Sequence, residues 1–274
     1  MTTLLWIVLS TLASGVVSVL AAGTFLALPA RAREAALPHL VSFATGALLG
    51  AALLGLIPHA VIGVGAAGVH EVGIALIAGI ALFFVLEKFL LWRHCHDDHC
   101  DEHAVDGHEG HGHAHGRKHS HDHARQQASG ALVLVGDALH NVLDGVLIAA
   151  AFLTDVHLGI VTAAAIMAHE IPQEVGNFAV LLHSGMSRSR ALAMNLLTSL
   201  SAVIGGVVGW VALEKTLTAL PFALAVAASS LLYVAVADLI PGLHRRVDAR
   251  SSVMQVLLIG AGIAMIALAE SHAH

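Results

Sequence analysis

The sequence predicts an all-α, polytopic membrane protein with eight transmembrane helices. Hydrophobic residues make up 57% of the chain and charged residues only 12%, whereas a soluble domain carries about a quarter charged residues. Apolar runs of about 20 residues recur along the chain, and each could cross roughly 30 Å of hydrocarbon as a helix. Helices are favoured because backbone polar groups in lipid must be bonded within the segment.

Eight apolar runs are separated by Pro, Gly, Arg and His residues. The first run has no basic segment before it and continues past about 20 residues, so we expect a membrane helix rather than a cleaved signal peptide. The predicted spans cover residues 3–29, 38–64, 69–93, 129–153, 158–184, 189–213, 218–243 and 252–271.

The distribution of basic residues supports this division. With eight spans, every one of the 13 Lys and Arg residues except Lys215 falls on the same side of the membrane. Cytoplasmic loops carry the excess of Lys and Arg, so that side is expected to be the cytoplasm and both termini are expected to be extracytoplasmic. Seven or nine spans would scatter these residues over both sides. We expect the protein in a bacterial inner (plasma) membrane.

One long connection, residues 94–128, separates transmembrane helices 1–3 (1–93) from helices 4–8 (129–274), which together form one membrane domain. It contains both cysteines and 11 of the 21 histidines and has no apolar run, so we expect a disordered cytoplasmic loop. Imidazole and thiolate are metal ligands, and their density favours metal binding over a plain linker. Candidate ligands at its start are His94, Cys95, His96, His99 and Cys100.

The fourth span carries polar residues on one face, in the segment GDALHNVLDG. Asp137, His140 and Asp144 are spaced i, i+3 and i+7. This spacing places their side chains on the same side of a helix, with Asn141 on its flank. The opposite face is made of Leu, Val and Ala.

The fifth span carries a second polar segment, HEIPQE, which begins at His169. His169 and Gln173 are four residues apart, as are Glu170 and Glu174, so each pair shares a helix face. Pro172 lacks an amide donor and leaves a carbonyl one turn earlier without its usual partner. A kink there would help to open a polar cavity.

The polar residues of these two spans favour a metal site over a purely structural network. Hydrogen bonding between helices explains one or two such residues per helix, but several carboxylates on neighbouring helices would repel each other. Neither span contains Lys or Arg, so a divalent cation is the expected counter-charge. Mixed nitrogen and oxygen ligands suit Zn²⁺ and other first-row ions better than Ca²⁺ or Mg²⁺.

Enzymatic and ATP-driven functions are disfavoured, and we expect the protein not to be an enzyme. Metalloproteases with an HExxH helix place a second His four residues after the first, whereas this chain has Gln173 at that position. Pro172 also interrupts the helix. The phosphate-binding motif G-x-x-x-x-G-K-[ST] is absent from the sequence, which argues against ATP-driven pumping.

At these residues the sequence resembles the ZIP family of divalent-metal transporters. HNVLDG at 140–145 looks like the family's fourth-helix motif H-N-x-x-[DE]-G, and HEIPQE at 169–174 looks like its fifth-helix motif H-E-x-P-[HQ]-E. Eight spans, extracytoplasmic termini and a His-rich cytoplasmic loop are also the family's layout. Further similar segments, within a match over about residues 40–243, are TGALLGAALLGLIPHA (45–60), LEKFL (86–90) and SSLLYVAVADLIPGL (229–243).

The resemblance implies a binuclear or tandem metal site built by the fourth and fifth helices. Asp137 matches a residue of the family's fourth helix, and Asp238 in the seventh could help to guide the ion. The second helix has Ala51 and Gly55 where the family often has Asp and His, with His59 as a candidate replacement. The ligands carried over from the family motifs are His140, Asn141, Asp144, His169, Glu170, Gln173 and Glu174.

The function implied by the resemblance is transport of Zn²⁺ toward the cytoplasm, with Cd²⁺, Fe²⁺, Mn²⁺ and Co²⁺ as other candidate ions. The alternative is a membrane-embedded metal sensor or store that moves no ions. The expected partners are the divalent ion and the lipid bilayer, without nucleic acid. A homodimer is a further expectation.

Overall fold

Every regular element in the described part of the chain is a helix. The computed structural model describes residues 2–97, 118–244 and 248–271, with side chains described outside residues 90–129. The helices are α1 (Thr3–Ala27), α2 (Ala30–Gly50), α3 (Ile57–Val64), α4 (Val69–Asp97), α5 (Lys118–Thr154), α6 (Val156–His183), α7 (Arg188–Ser199), α8 (Ser201–Glu214), α9 (Leu220–Tyr233), α10 (Ile240–Leu243) and α11 (Ala249–Ser271).

Seven helical stretches in the described residues are long and apolar enough to cross a membrane. The prediction of an all-α polytopic membrane protein is therefore confirmed. These stretches correspond to seven of the eight predicted spans, although the second begins eight residues before residue 38. They are Thr3–Ala27, Ala30–Val64, Ala66–Phe89, Gly130–Thr154, Arg188–Glu214, Leu217–Leu243 and Ala249–Ser271.

The remaining predicted span, the fifth, corresponds to α6. Its 28 residues would reach about 42 Å at 1.5 Å per residue, which exceeds the hydrocarbon thickness. The helix is less apolar than the other seven because the HEIPQE segment lies at its centre. The residues that suggest a metal site are thus the same ones that lower the hydropathy of this helix.

Helices extend into both ends of the range predicted for the loop. α4 continues to Asp97 and α5 begins at Lys118, so helices extend into the predicted range 94–128. Residues 124–128, which read ARQQA, are good helix formers. The loop residues 98–117, with His99 and Cys100, lie outside the described residues, as do the side chains of His94, Cys95 and His96. Disorder and metal binding in this loop stay predictions.

A very tight connection joins α5 to α6. Asp155 is the single residue between them, and its carboxylate accepts hydrogen bonds from the amides of His157 and Leu158 at 2.8 and 3.0 Å. An aspartate at this position caps a helix by satisfying amides of the first turn. Because the connection is so short, α5 and α6 must run antiparallel side by side.

Two spans contain a π-helical segment that is followed by a proline. Ala51–Leu56 lies between α2 and α3, and Val234–Leu239 lies between α9 and α10. The amide of Ile57 bonds to the carbonyl five residues earlier, and that of Ile240 does the same. Each of these isoleucines is followed by a proline, which has no amide N–H to donate. The π-helical segment therefore changes the backbone hydrogen bonding from i→i−4 to i→i−5 directly before the residue that cannot donate.

The helices pack in two groups. The first contains α1 and α5–α8, and the second contains α2–α4, α9 and α11. Glycines allow close backbone contact inside each group: a Cβ at Gly145 of α5 would clash with Ala202 O of α8, and one at Gly262 of α11 would clash with Phe43 O of α2. Small residues of this kind let membrane helices approach closely.

The main apolar core lies where the two groups meet. Leu48 and Leu224 from the second group and Ile148 and Ile166 from the first belong to one buried cluster. Along this boundary, α6 contacts α2 and the π-helical segment Ala51–Leu56 that follows α2. The outer faces of the helices carry many exposed Ile, Leu, Val and Phe side chains, as expected for a surface in contact with lipid.

Candidate metal site

Four metal-ligating side chains converge between α5 and α6. His140 and Asp144 are one turn apart on α5, and His169 and Glu170 are neighbours on α6. Each side chain offers one ligand atom, and the four atoms all lie within 4.8 Å of one another. We refer to these four residues as the four-ligand group. The structure thus brings together four of the seven ligands expected from the motifs.

The four-ligand group lies halfway along both helices. The midpoint of Gly130–Thr154, the apolar part of α5, is residue 142, between the two ligands of that helix. The midpoint of Val156–His183 falls between the two ligands of α6. Membrane transporters commonly bind their substrates at this depth, near the bilayer midplane.

The distances between the ligand atoms are close to those around a tetrahedrally coordinated metal ion. Nε2 of His140 lies 3.3 Å from Nε2 of His169. Each of these nitrogens lies 3.7 Å from Asp144 Oδ2 and 3.7 Å from Glu170 Oε1. A tetrahedral Zn²⁺ with ligands at about 2.0–2.2 Å requires ligand atoms roughly 3.3–3.6 Å apart. Five of the six pairs of ligand atoms are therefore within a few tenths of an ångström of this spacing, and the two carboxylate oxygens lie within 4.8 Å of each other.

The charge of the four-ligand group matches a divalent cation. Two carboxylates and two neutral imidazoles carry two negative charges, and neither Gly130–Thr154 nor Val156–His183 contains Lys or Arg. Asp144 Oδ2 and both oxygens of Glu170 are buried and have no hydrogen-bond partner among the described residues. Buried carboxylates in this condition are costly unless a cation neutralises them.

Asp137, Asn141 and Gln173 form a neighbouring network instead of joining the four-ligand group. Asn177 donates to Asp137 Oδ1 at 2.7 Å, and Thr198 donates to Oδ2 at 2.5 Å. The side-chain amides of Asn141 and Gln173 are each 3.4 Å from Oδ1. Neutral donors thus surround the Asp137 carboxylate, and the role of these residues as metal ligands stays a prediction.

Glu174 also points away from the four-ligand group. Ser199 donates to its Oε1 at 2.6 Å, and Asn195 donates to its backbone carbonyl at 3.3 Å. The sequence analysis did not identify Asn195, Thr198 or Ser199 of α7. The signal that could have found them is the polar run N-L-L-T-S inside an otherwise apolar span. This helix supplies the hydroxyl groups that hold Glu174 and Asp137.

A cavity of about 490 Å³ opens beside His140. Acidic residues on its wall are Glu87, Asp137 and Asp238, and the hydroxyl of Tyr233 donates to the Glu87 carboxylate. The His140 side chain is 24% exposed, whereas the other three ligands are at most 3% exposed. In the described part of the chain, this cavity gives access to the four-ligand group. Asp238 thus lies on the access route rather than in the group.

His59, the proposed replacement in the second span, also lies outside the four-ligand group. Its Nδ1 is 2.8 Å from the backbone carbonyl of Gly55, one turn earlier in the same span. The carbonyl can only accept, so Nδ1 carries the proton and Nε2 keeps a free lone pair. A role for His59 in metal binding stays a prediction.

Comparison with known proteins assigns the chain to a family. A sequence model of the family described as ZIP Zinc transporter matches residues 2–270. The chain belongs to the ZIP family. The resemblance seen in the two motifs is therefore confirmed over nearly the whole length of this ZIP sequence.

Several zinc transporters are similar to this ZIP chain. Zinc transporter ZIP13 of Pongo abelii is 31% identical over 250 residues, which cover 85% of this chain and 66% of the relative. Zinc transporter YKE4 of Saccharomyces cerevisiae is 30% identical over 259 residues, which cover 85% of this chain and 70% of the relative. Zinc transporter ZIP10 of Danio rerio is 39% identical over 151 residues, which cover 52% of this chain and 18% of the relative. The ZIP chain thus spans between 18% and 70% of the length of these three relatives.

Proposed function

We propose that this ZIP family member transports divalent transition-metal ions, with Zn²⁺ as the main substrate, toward the cytoplasm. The four-ligand group carries the proposal because its atoms have tetrahedral spacing, lie halfway along two helices and need a divalent counter-charge. The matched family and its zinc-transporting relatives point to the same class of substrate.

We further propose eight spans, with α6 as the fifth, in an inner membrane. This arrangement places both termini outside and keeps the long loop and all basic residues except Lys215 on the cytoplasmic side. A helix as polar as α6 crosses lipid when its polar side faces the protein interior. His169, Glu170 and Glu174 are at most 2% exposed, which supports this orientation.

The ligand set favours Zn²⁺ and ions of similar preference, such as Co²⁺ and Cd²⁺. Mg²⁺ demands octahedral geometry and retains several waters, and Ca²⁺ takes six to eight oxygen ligands. The four-ligand group offers two nitrogens and two oxygens at tetrahedral spacing, which neither ion prefers. We therefore propose discrimination by ligand number and type. Fe²⁺ and Mn²⁺ are expected to be poorer substrates.

The ion is proposed to leave through the cavity beside His140. Glu87 and Asp238 line that cavity. Both lie near the end of their span that adjoins basic residues, which is the cytoplasmic end under the proposed topology. Acidic groups along a pathway attract cations without holding them as firmly as a complete ligand set.

A transporter is favoured over a metalloenzyme by the completeness of the four-ligand group. Catalytic zinc sites keep one coordination position for water or substrate. Here four protein side chains supply a tetrahedral set, and among the described residues of the group only His140 is appreciably exposed. This arrangement suits binding and release of an ion rather than activation of a water molecule.

Ion uptake by purified protein in proteoliposomes tests the proposal. Zn²⁺, Cd²⁺, Co²⁺, Fe²⁺ and Mn²⁺ are compared at equal concentrations, using an internal metal-sensitive dye and empty liposomes as the baseline. Saturable Zn²⁺ uptake that is lost in the double variant Asp144→Asn, Glu170→Gln is the expected result. Zn²⁺ binding to the protein without uptake of any of the five ions would favour the sensor or store.

A further inference from the structure

Two neighbouring hydroxyl groups of α7 bond to acids on the two helices that carry the four-ligand group. Thr198 donates to Asp137 of α5 at 2.5 Å, and Ser199 donates to Glu174 of α6 at 2.6 Å. Asn195, about one turn earlier on α7, donates to the backbone carbonyl of Glu174 at 3.3 Å. α7 is therefore a support that α5 and α6 share.

Both acids lie about one helical turn from the ligands. Asp137 precedes His140 by three residues, and Glu174 follows Glu170 by four. These steps correspond to roughly 4.5 and 6 Å along a helix. Because α5 and α6 run antiparallel, the two acids lie on the same side of the four-ligand group. The contacts with α7 are thus close enough to influence the spacing of the ligand atoms.

α6 needs support at this point because a proline weakens it. Pro172 lies between the ligands His169 and Glu170 on one side and Glu174 on the other, and it has no amide N–H to donate to the preceding turn. A helix that lacks a hydrogen bond in one turn bends there more easily. The contact with Ser199 holds the turn after the proline against α7 and limits such bending.

The four-ligand group does not hold α5 and α6 together by itself. Its two carboxylates, when ionised, repel each other unless a cation lies between them. The nitrogen and oxygen atoms of the group nevertheless lie 3.3 or 3.7 Å apart in five pairs. Ligands that are held in place before an ion arrives bind it more tightly than ligands that must first be ordered. Contacts outside the group must therefore set this spacing.

Ser199 is the side chain of α7 that holds the carboxylate of α6. It is fully buried, as is Glu174. Oε2 of Glu174 has no hydrogen-bond partner among the described residues, so in that part of the chain Ser199 supplies the hydrogen bond that this carboxylate receives. A hydrogen bond to a carboxylate is shorter and stronger than one between neutral groups. The bond is therefore well suited to fix the position of α6.

We propose that Ser199 is a positioning residue of the transport site. Through Glu174, its hydroxyl fixes the turn of α6 after Pro172 and so holds His169 and Glu170 at the spacing that the ion requires. The inference rests on the proposed transport function and adds a residue that acts through Glu174 rather than on the ion. Loss of this hydroxyl should weaken ion binding more than it slows the movement of a bound ion.

Zn²⁺ uptake by Ser199→Ala protein in proteoliposomes tests this role. Alanine removes the hydroxyl and keeps the Cβ that faces Gly15 of α1. We expect the half-saturating Zn²⁺ concentration to rise about tenfold and the maximal rate per folded transporter to stay within about twofold. Ser18→Ala is the matched control, because this buried hydroxyl donates to the carbonyl of Gly15 in its own helix. It should alter neither value.

The direction of the change separates positioning from other roles. If Glu174 were a metal ligand that Ser199 holds back, Ser199→Ala would free an additional oxygen for the ion and lower the half-saturating concentration. If Ser199 only stabilised the fold, the variant would yield fewer folded molecules with an unchanged half-saturating concentration. A lowered or an unchanged value would therefore overturn the inference.

A double-mutant cycle tests whether Ser199 acts through Glu174. Glu174→Leu removes the hydrogen-bond acceptor and should also raise the half-saturating Zn²⁺ concentration. Adding Ser199→Ala to this variant should change that concentration by less than about twofold, because the bond between the two residues is already lost. Full addition of the two single effects would show that Ser199 acts by another route and would overturn the inference.

Visible absorption of Co²⁺, added alone to the purified protein, reports the geometry of the site without transport. Tetrahedral Co²⁺ absorbs much more strongly than octahedral Co²⁺, so we expect the absorption per bound ion to fall by about half in Ser199→Ala and to stay unchanged in Ser18→Ala. Equal absorption by Ser199→Ala and the unaltered protein would overturn the inference. Absence of Zn²⁺ uptake by the unaltered protein would overturn the proposed transport, whereas the Co²⁺ measurement would still decide the role of Ser199.

Discussion

His140 and His169 meet edge to face, with ring centroids 5.6 Å apart and ring planes at 80°. Their Nε2 atoms point at each other across the contact between α5 and α6. Two imidazoles in this arrangement can share a proton or bind an ion between them. Since two carboxylate oxygens converge on the same place, the ion is the better match for the charge of the group.

Asp144→Asn removes one of the two charges while keeping the side-chain volume. The four-ligand group then no longer neutralises a divalent ion, and we expect the Zn²⁺ uptake rate to fall by more than about tenfold. Glu71→Gln, a change of an exposed acid in the first turn of α4, should have no effect. Proteoliposome uptake with protein checked by size-exclusion chromatography measures both. Near-normal uptake by well-folded Asp144→Asn protein would contradict the assignment of the transport site.

Asp137→Asn is expected to act mainly on stability. The carboxylate accepts hydrogen bonds from Thr198 and Asn177 on two other helices, and an amide replaces one acceptor oxygen with a donor. We expect the free energy of unfolding to fall by about 1–3 kcal/mol, with the order of ion preference unchanged. Thermal unfolding and competition uptake measure the two quantities. A lost bound ion with unchanged stability would instead support Asp137 as a ligand of a second metal.

At the scale of the helices, α5 is held against α8 by backbone contact. Gly205 of α8 faces the carbonyl oxygen of Val142 on α5. A Cβ placed on Gly209 of α8 would lie 3.0 Å from the Cα of Val146 on α5. Because α5 supplies His140 to the four-ligand group, this contact also fixes the position of a ligand. The pairing of α5 with α8 therefore belongs to the construction of the metal site.

Gly205→Ala is expected to force α8 away from α5. The new methyl group would overlap the backbone of α5, which cannot move aside as a flexible side chain can, and overpacking of this kind costs about 1–3 kcal/mol. Gly176→Ala on α6 is the matched control, because nothing lies within 4 Å of its Cβ position. Thermal unfolding of the two purified variants gives the comparison. Equal melting temperatures would show that the helices are less closely packed than described.

At the scale of the whole molecule, we expect the predicted histidine-rich loop on the cytoplasmic side, where the ion is proposed to emerge. Deleting residues 96–123 should preserve ion selectivity and most of the maximal rate, because the four-ligand group is built by α5 and α6. The response to accumulated internal metal should change, since the loop carries many imidazole and thiolate ligands. Initial rates and inhibition by internal Zn²⁺, at equal surface expression, measure these effects.

A length-matched variant strengthens the loop experiment. Replacing Cys100 and the histidines of residues 96–123 with Ser keeps the connection but removes its imidazole and thiolate ligands, and it should reproduce the effect of the deletion. Loss of transport or a changed metal preference in either variant would place the loop in the permeation path. Unchanged inhibition by internal metal would favour a plain linker.

Helical periodicity predicted the face of α5 and the segment of α6 that carry the metal site, but not which side chains meet. Asn141 and Gln173 lie beside the four ligands in sequence, yet both face Asp137. The difference depends on side-chain rotamers and on Thr198 of α7, a helix distant in sequence from both motifs. The apolar runs predicted seven of the helical stretches that the structure shows to be long and apolar enough to cross a membrane, because length and hydropathy are local properties. α6 is the exception, since its site residues reduce the hydropathy on which such predictions depend.

The charge balance of the four-ligand group has a consequence for bioenergetics. With both carboxylates ionised and both imidazoles neutral, the empty group carries two negative charges, whereas the same group is neutral when a divalent cation occupies it. In any cycle in which the group changes its exposure from one side to the other, membrane voltage acts on the empty state and not on the loaded one. A charge that crosses the full field gains about 2.3 kcal/mol per 100 mV. A potential that is negative inside would therefore drive the empty group back toward the outside and favour net import, even where the zinc gradient is small.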